Sequence, residues 1–247
     1  MAIELRNPHS VMSALEQRPN AVMEIRLHSR QPGTAWEAVA EAASAARVPV
    51  RRGQRPEQAG RRNPKGDQSE RIGAGTATVK ELDPIELDNM FENGGQRANG
   101  RGIWLALDQV QDPRNLGAIF RSAAFFGLEG LIFTRHKSAP LTGVAYDAAS
   151  GGIEYVPYAN PPSLTRTLQL ARDNGLWILG ASEHAEQDVS EVDRERPWLL
   201  IVGNEQQGLR RLTKENCDEM CRLSPRGPVQ SLNVSVATAV LLAGLTR

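Results

Sequence analysis

The sequence predicts an α/β fold: a mostly parallel sheet with helices on both faces, preceded by a small α/β module. Two observations carry the main prediction. From Ile103 onward, uninterrupted apolar runs alternate with stretches of helical periodicity, as expected for strands buried on both sides and joined by crossover helices. In addition, three small polar clusters sit where an apolar run meets a helix, and the unpaired backbone groups of helix starts are suited to holding a polar ligand. The clusters are Asp112-Pro113-Arg114-Asn115-Leu116-Gly117, Gly203-Asn204-Glu205-Gln206-Gln207-Gly208-Leu209 and Ser231-Leu232-Asn233-Val234-Ser235-Val236-Ala237.

The smaller module is expected over residues 1–92. Residues 7–16 have helical spacing at Val11, Met12 and Leu15, and 21–27 read as a strand. A helix rich in alanine follows at 36–46, then a short strand at 48–50, a strand at 76–82 and a helix at 84–91. Between Arg51 and Arg71 seven basic residues stand against three acids, a net +4, in a stretch rich in Gly, Pro and Gln. The segment 51–75 therefore reads as flexible and basic, either a solvated linker or an arm attracted to RNA phosphates. Residues 93–102 hold four glycines and no large apolar side chain, and are taken as the linker to the larger domain at 103–247.

In the larger domain, strands are expected at 103–107, 131–133, 176–179 and 198–202, with helices at 113–126, 162–174 and 209–220. Asp112 is an N-cap with Pro113 at the first helical position. Leu116, Ile119, Phe120 and Ala123 form the buried stripe, and Gly127 ends the helix. Arg121 lies about 150° from that stripe at roughly 100° per residue, so packing does not bury it. Glu205 follows a strongly apolar strand and lies between glycines that allow a tight turn close to a ligand. Ser231 is expected to cap the last helix, with Leu232, Val236, Ala239, Val240 and Ala243 as its core face. Capping explains Ser231 but not Asn233, which is a mediocre choice just inside a helix. Ligands of parallel sheets gather beyond the carboxyl ends of the strands, which draws in Gly203 and, after Leu179, Gly180 and Ala181.

Several function classes fall away. The 29 basic and 29 acidic residues balance, so overall charge does not by itself indicate nucleic acid. The four histidines are scattered, and no nucleophile elbow or phosphate-loop lysine is present. Cys217 and Cys221 are one helical turn apart with no further ligand nearby, so they read as reduced structural thiols and no metal is expected. No targeting signal or 18-residue apolar run occurs, and a soluble cytoplasmic protein is expected.

In order and separation, the three clusters resemble the signature motifs of the SpoU (TrmH-type) RNA ribose 2′-O-methyltransferases. The first motif matches 108–123, the second 200–209 and the third 223–237. Arg6-Asn7-Pro8 with Val11, Ala14 and Leu15 resembles the ribosomal-protein-like domain found in the rRNA-modifying branch. The resemblance implies a C-terminal deep trefoil knot, a homodimer and S-adenosylmethionine as methyl donor. Gly203, Leu223 and Leu232 match the positions that hold the donor, with Gly180 and Ala181 beside them. Arg121 matches the arginine proposed to activate the ribose hydroxyl, either as base or as an electrostatic and orienting group. Asn115, Glu205, Ser231 and Asn233 match the other catalytic polar residues. Large-subunit rRNA is the implied substrate; tRNA and a catalytically silent RNA-binding or ribosome-assembly module are the alternatives.

Overall fold

The computed structural model describes residues 1–29, 31–53, 73–204 and 206–246. Most of the basic segment 51–75 lies outside them. The strands are β1 (Ala2–Leu5), β2 (Val22–Leu27), β3 (Val50–Arg52), β4 (Gly75–Lys80), β5 (Ile103–Asp108), β6 (Gly130–Phe133), β7 (Tyr158–Ala159), β8 (Trp177–Ala181), β9 (Gln187–Asp188), β10 (Trp198–Gly203) and β11 (Glu219–Arg222). The helices, numbered separately, are α1 (Pro8–Gln17), α2 (Thr34–Ala45), α3 (Leu87–Phe91), α4 (Pro113–Phe126), α5 (Gly143–Ala149), α6 (Leu164–Asp173), α7 (Arg211–Glu215) and α8 (Val234–Leu245).

The larger sheet has the order β7-β6-β5-β10-β8-β11-β9, and all of its strand pairings are parallel. Its central strands are apolar on both faces because both faces are covered. Trp104, Ala106, Ile132, Leu199 and Ile201 point into one layer, with Leu164, Leu168 and Ala171 of α6 and Met90 and Phe91 of α3. Their alternate neighbours Leu105, Leu107, Leu131, Phe133, Leu200 and Val202 point into the other, against Leu116, Ile119 and Phe120 of α4. This is the period-two alternation of a strand. Each wholly buried Leu, Ile or Phe contributes roughly 1.5–3 kcal/mol.

The smaller sheet has the order β1-β4-β2-β3. Its strand β1 was not anticipated, because only Leu5 of its four residues is fully buried; pairing with β4 makes it a strand. The module is not a separate bead. Leu5, Val11, Ile25, Trp36 and Val79 belong to the same continuous core as α4 and α5. The 93–102 segment, expected as a linker, forms tight turns packed on the larger domain, where Gly95 N–H donates to the Asn174 carbonyl at 2.9 Å.

Two expectations for the C-terminal third need correction. The 209–220 stretch is not one helix: it divides into α7 and strand β11. The Asp218 carboxylate accepts from Ile178 N–H at 2.8 Å and binds Arg172, which starts β11 beside β8. Cys217 and Cys221 therefore do not share a helix face. The last helix starts two residues later than predicted, with Asn233 rather than Ser231 as N-cap, accepting from Ser235 N–H at 2.9 Å. Its buried residues are Val234, Thr238, Leu241, Leu242 and Leu245, whereas the expected core residues Leu232, Val236 and Val240 are 52 %, 49 % and 45 % exposed.

Candidate active site

Because β5, β10, β8 and β11 run parallel, their carboxyl ends open on one side of the sheet. The order of strands also turns here: the chain passes from β5 outward to β6 and β7, then returns to place β8 and β10 on the other side of β5. Such a reversal is where α/β sheets bind ligands. A cavity of about 290 Å³ lies at these ends, lined by residues that include Ala181, Gly203, Leu223, Ser231 and Leu232. That volume is near the lower edge of the roughly 300–1,000 Å³ typical of small-molecule sites.

Backbone builds most of the wall. A Cβ on Gly203 would overlap the Gly208 carbonyl group, so any other residue there would push the turn away. Asn204 and Gly208 close the turn with reciprocal backbone bonds of 3.2 and 2.8 Å, and Gly208 takes φ +62°, a left-handed conformation suited to glycine. The Asn204 side chain accepts from Gln206 N–H at 2.9 Å and donates to the Gln109 carbonyl at 3.0 Å. Glu205 lies outside the described residues. The turn is tied to β5 by Asp108, whose buried carboxylate accepts from Arg210 Nε at 2.6 Å and from Thr213 Oγ1 at 2.7 Å. A buried charge persists only when paired in this way.

Outside the lining, the Asp188 carboxylate accepts hydrogen bonds from Ser224 and Ser190, which hold its pKa well below the ordinary carboxylate value. That contact anchors the loop leaving β11, next to Leu223. Burial pushes both thiols, Cys217 and Cys221, up to about 12. Arg222 also lines the cavity, and its Nε is buried with no hydrogen-bond partner among the described residues.

Beside the cavity, next to the lining residues Leu232 and Val234, the start of α8 meets the start of α4. Asn233 Nδ2 donates to Asn115 Oδ1 at 3.2 Å, joining residues 118 positions apart. Asn233 thus has two tasks: its Oδ1 caps α8 while its amide reaches α4. Arg121 is exposed, six residues further along α4, or about 9 Å at the helical rise. Its Nη1 donates to Ser150 Oγ at 3.5 Å.

Of the expected site residues, then, Ala181, Gly203, Leu223, Ser231 and Leu232 line one cavity, and Asn115 and Asn233 pair beside it. Gly180 stands outside the lining, pressed instead on Cys217, Met220 and Leu209. Arg121 is on the neighbouring surface rather than in the cavity wall. Sequence reasoning did not single out Asp108, Asn204 or Asp188 as site-building residues. The first two carried a signal: an Asp closing an apolar strand, and an Asn two residues before the backbone N–H that it caps.

The family model described as "SpoU rRNA Methylase family" matches residues 102–243, from the start of β5 to the last turns of α8. This chain belongs to the SpoU family. A relative from Pseudomonas aeruginosa, named 23S rRNA (guanosine-2′-O-)-methyltransferase RlmB, is 35% identical over 241 residues, which cover 97% of this chain and 94% of the relative. The Pseudomonas putida protein of the same name is also 35% identical over 241 residues, with the same coverage. Among solved structures, the SpoU methyltransferase AviRb from Streptomyces viridochromogenes, in complex with AdoMet, superposes with a TM-score of 0.75 at 22% identity over 99% of this chain and 89% of that one. That likeness shows the α/β fold with its mostly parallel sheet. Every described residue of the cavity falls inside the span matched by the SpoU model. Within that span, no described helix is long and apolar enough to cross a membrane.

Proposed function

We propose that this chain transfers the methyl group of S-adenosylmethionine to a ribose 2′-hydroxyl of 23S rRNA. The observation that carries the reading is the strand-end cavity with the Asn115–Asn233 pair beside its lining residues Leu232 and Val234. The residues suit the donor: Gly203 gives a backbone cradle that a Cβ would fill, and Arg222 Nε is a buried donor in want of an acceptor. Gly203, Leu223, Leu232 and Ala181 would hold it, with Gly180 supporting the strand end behind them. When bound, the sulfonium would supply an electrophilic methyl group to the ribose oxygen, with the neutral thioether as leaving group and the hydroxyl proton passing to solvent.

The protein's own part is alignment, charge and exclusion of water. Asn115, Asn233 and Ser231 offer neutral hydrogen-bonding groups around the attacking hydroxyl, and Glu205 is assigned to the same set by its motif. A guanidinium is a poor proton acceptor, so we assign Arg121 to orienting an RNA phosphate and stabilising the forming alkoxide. The N-terminal module, residues 1–92, and the basic stretch 51–75 would contact the RNA. We further propose that the C-terminal part is threaded as a deep trefoil knot, and that a second copy covers the exposed apolar face Leu232, Val236 and Val240. Work in the cytoplasm follows from an rRNA substrate.

The test is methyl incorporation from labelled donor into unmodified 23S rRNA, 16S rRNA and tRNA, alongside calorimetric titration of the donor. Incorporation confined to 23S rRNA is the expected result. Incorporation into tRNA alone would reassign the substrate, and donor binding without transfer to any of the three would mark a silent RNA-binding protein.

A further inference from the structure

The turn Ser150-Gly151-Gly152 is squeezed between the smaller module and the backbone of Arg121. On one side, a Cβ at Gly151 would overlap the Ser13 side chain of α1. On the other, a Cβ at Gly152 would lie 2.8 Å from the Phe120 carbonyl oxygen and 2.9 Å from Arg121 Cα. Gly151 takes φ +95° and Ser150 φ +48°, so the turn is bent sharply to fit the space.

Side chains complete the link. Asn7, the N-cap of α1, uses Oδ1 to accept from His9 N–H. Its amide Nδ2 donates to the Asp147 carbonyl at 2.8 Å and to Ser150 Oγ at 3.1 Å. The same Ser150 Oγ accepts from Arg121 Nη1 at 3.5 Å. Around this centre the module is fixed by several contacts. Arg6 and Asn7 N–H groups donate to the Asp147 carboxylate at 2.8 and 2.9 Å, Ser10 Oγ donates to the Tyr146 carbonyl at 2.7 Å, and Arg18 pairs with Glu154 through bonds of 2.6 and 2.9 Å. An arm that only tethered RNA would have no need of a donor aimed at the partner of Arg121.

We infer that Asn7 and Ser150 are positioning residues for methyl transfer: docking of the N-terminal module, through Asn7 and the 150–152 turn, sets the guanidinium of Arg121. This rests on the assignment of Arg121 to the chemistry. Its consequence is that the module acts on turnover as well as on RNA capture. Long flexible side chains lose reactive geometry easily, and small misplacements carry large rate penalties.

The experiment uses the full chain with labelled donor and 23S rRNA, comparing Asn7→Ser, Ser150→Gly and the double variant. Serine keeps the cap of α1 but is too short to reach Ser150, and glycine removes the hydroxyl while suiting the left-handed backbone. The expected result is a fall in kcat of about tenfold in each single variant, with KM for RNA and donor affinity unchanged. The double variant should fall no further than the singles, because both break one chain of contacts. A raised KM with kcat intact would overturn the inference and leave the module as an RNA tether alone; unchanged kcat and KM would overturn it too. Arg121→Ala, run in parallel, separates the failures. If its kcat is normal, the assignment of Arg121 is wrong. If its kcat is lost while Asn7→Ser and Ser150→Gly stay normal, only the coupling is wrong.

Discussion

The cavity proposed for the donor and the surface around Arg121 are built in opposite ways. Around the cavity, backbone meets backbone: Gly203 lies against Gly208, and Asn204 and Asp108 hold the turn by bonds to main-chain and buried groups. Around Arg121, one long exposed side chain is held by a hydroxyl that another side chain holds in turn. The first arrangement is rigid, and adding atoms spoils it. The second is adjustable, and removing atoms spoils it.

The largest expected effect is on the adjustable side. Arg121→Ala should lower kcat by about 10²–10³, the usual loss when one group stabilising transition-state charge is removed, while donor affinity measured by calorimetry stays the same. If donor affinity falls instead, the two regions are not separable as drawn. On the rigid side, Gly203→Ala should weaken donor binding by roughly 10–100-fold, equivalent to the 1–3 kcal/mol of forced overpacking. Calorimetric titration of that variant would show normal affinity if the turn can move aside.

A second contrast, between helices α4 and α8, explains much of what the sequence made legible. In α4 the apolar stripe is bounded by Arg114, Asn115 and Arg121, so one face alone qualifies as core, and its bounds, cap and exposed arginine were all readable in advance. In α8 nearly every position is apolar or small. The pattern allows two faces, and tertiary contacts, not periodicity, choose Val234, Thr238, Leu241 and Leu242. The unchosen face predicts the next effect. Val236→Glu should convert the proposed dimer to monomer in sedimentation, with monomer stability changed by no more than about 0.5 kcal/mol, as for ordinary surface substitutions. A cooperative loss of folding at low denaturant would show instead that this face is needed inside one chain.

Elsewhere legibility followed local signals. The strands at 103, 131 and 198 announced themselves by uninterrupted apolar runs. Strand β11 did not, because Glu219-Met220-Cys221-Arg222 becomes a strand only through the place left for it beside β8. Two of the three polar clusters meet in one cavity, which Gly203, Ser231 and Leu232 line together with Leu223. The supporting residues Asp108 and Asp188 were harder, since their partners lie 102 and 36 residues away.

The smallest expected effect concerns Asp188 and pH. Its folded pKa is lowered by hydrogen bonds from Ser224 and Ser190, so its stabilising contribution is complete above the ordinary carboxylate value of about 4. It is lost as pH falls from there toward the depressed folded value. Thermal unfolding between pH 6 and about 3 should therefore decline less steeply in Asp188→Asn than in the unaltered chain. Parallel curves would remove Asp188 as an anchor of the loop that leaves β11.

The most direct measurement takes 23S rRNA that lacks modification, incubates it with this chain and methyl-labelled S-adenosylmethionine, and digests the product to nucleosides. Label recovered in one 2′-O-methylated nucleoside, and absent when Arg121→Ala replaces the unaltered chain, is the result expected if the cavity holds the donor beside the Asn115–Asn233 pair. Label on a base, or donor consumed with the ribose untouched, would contradict it.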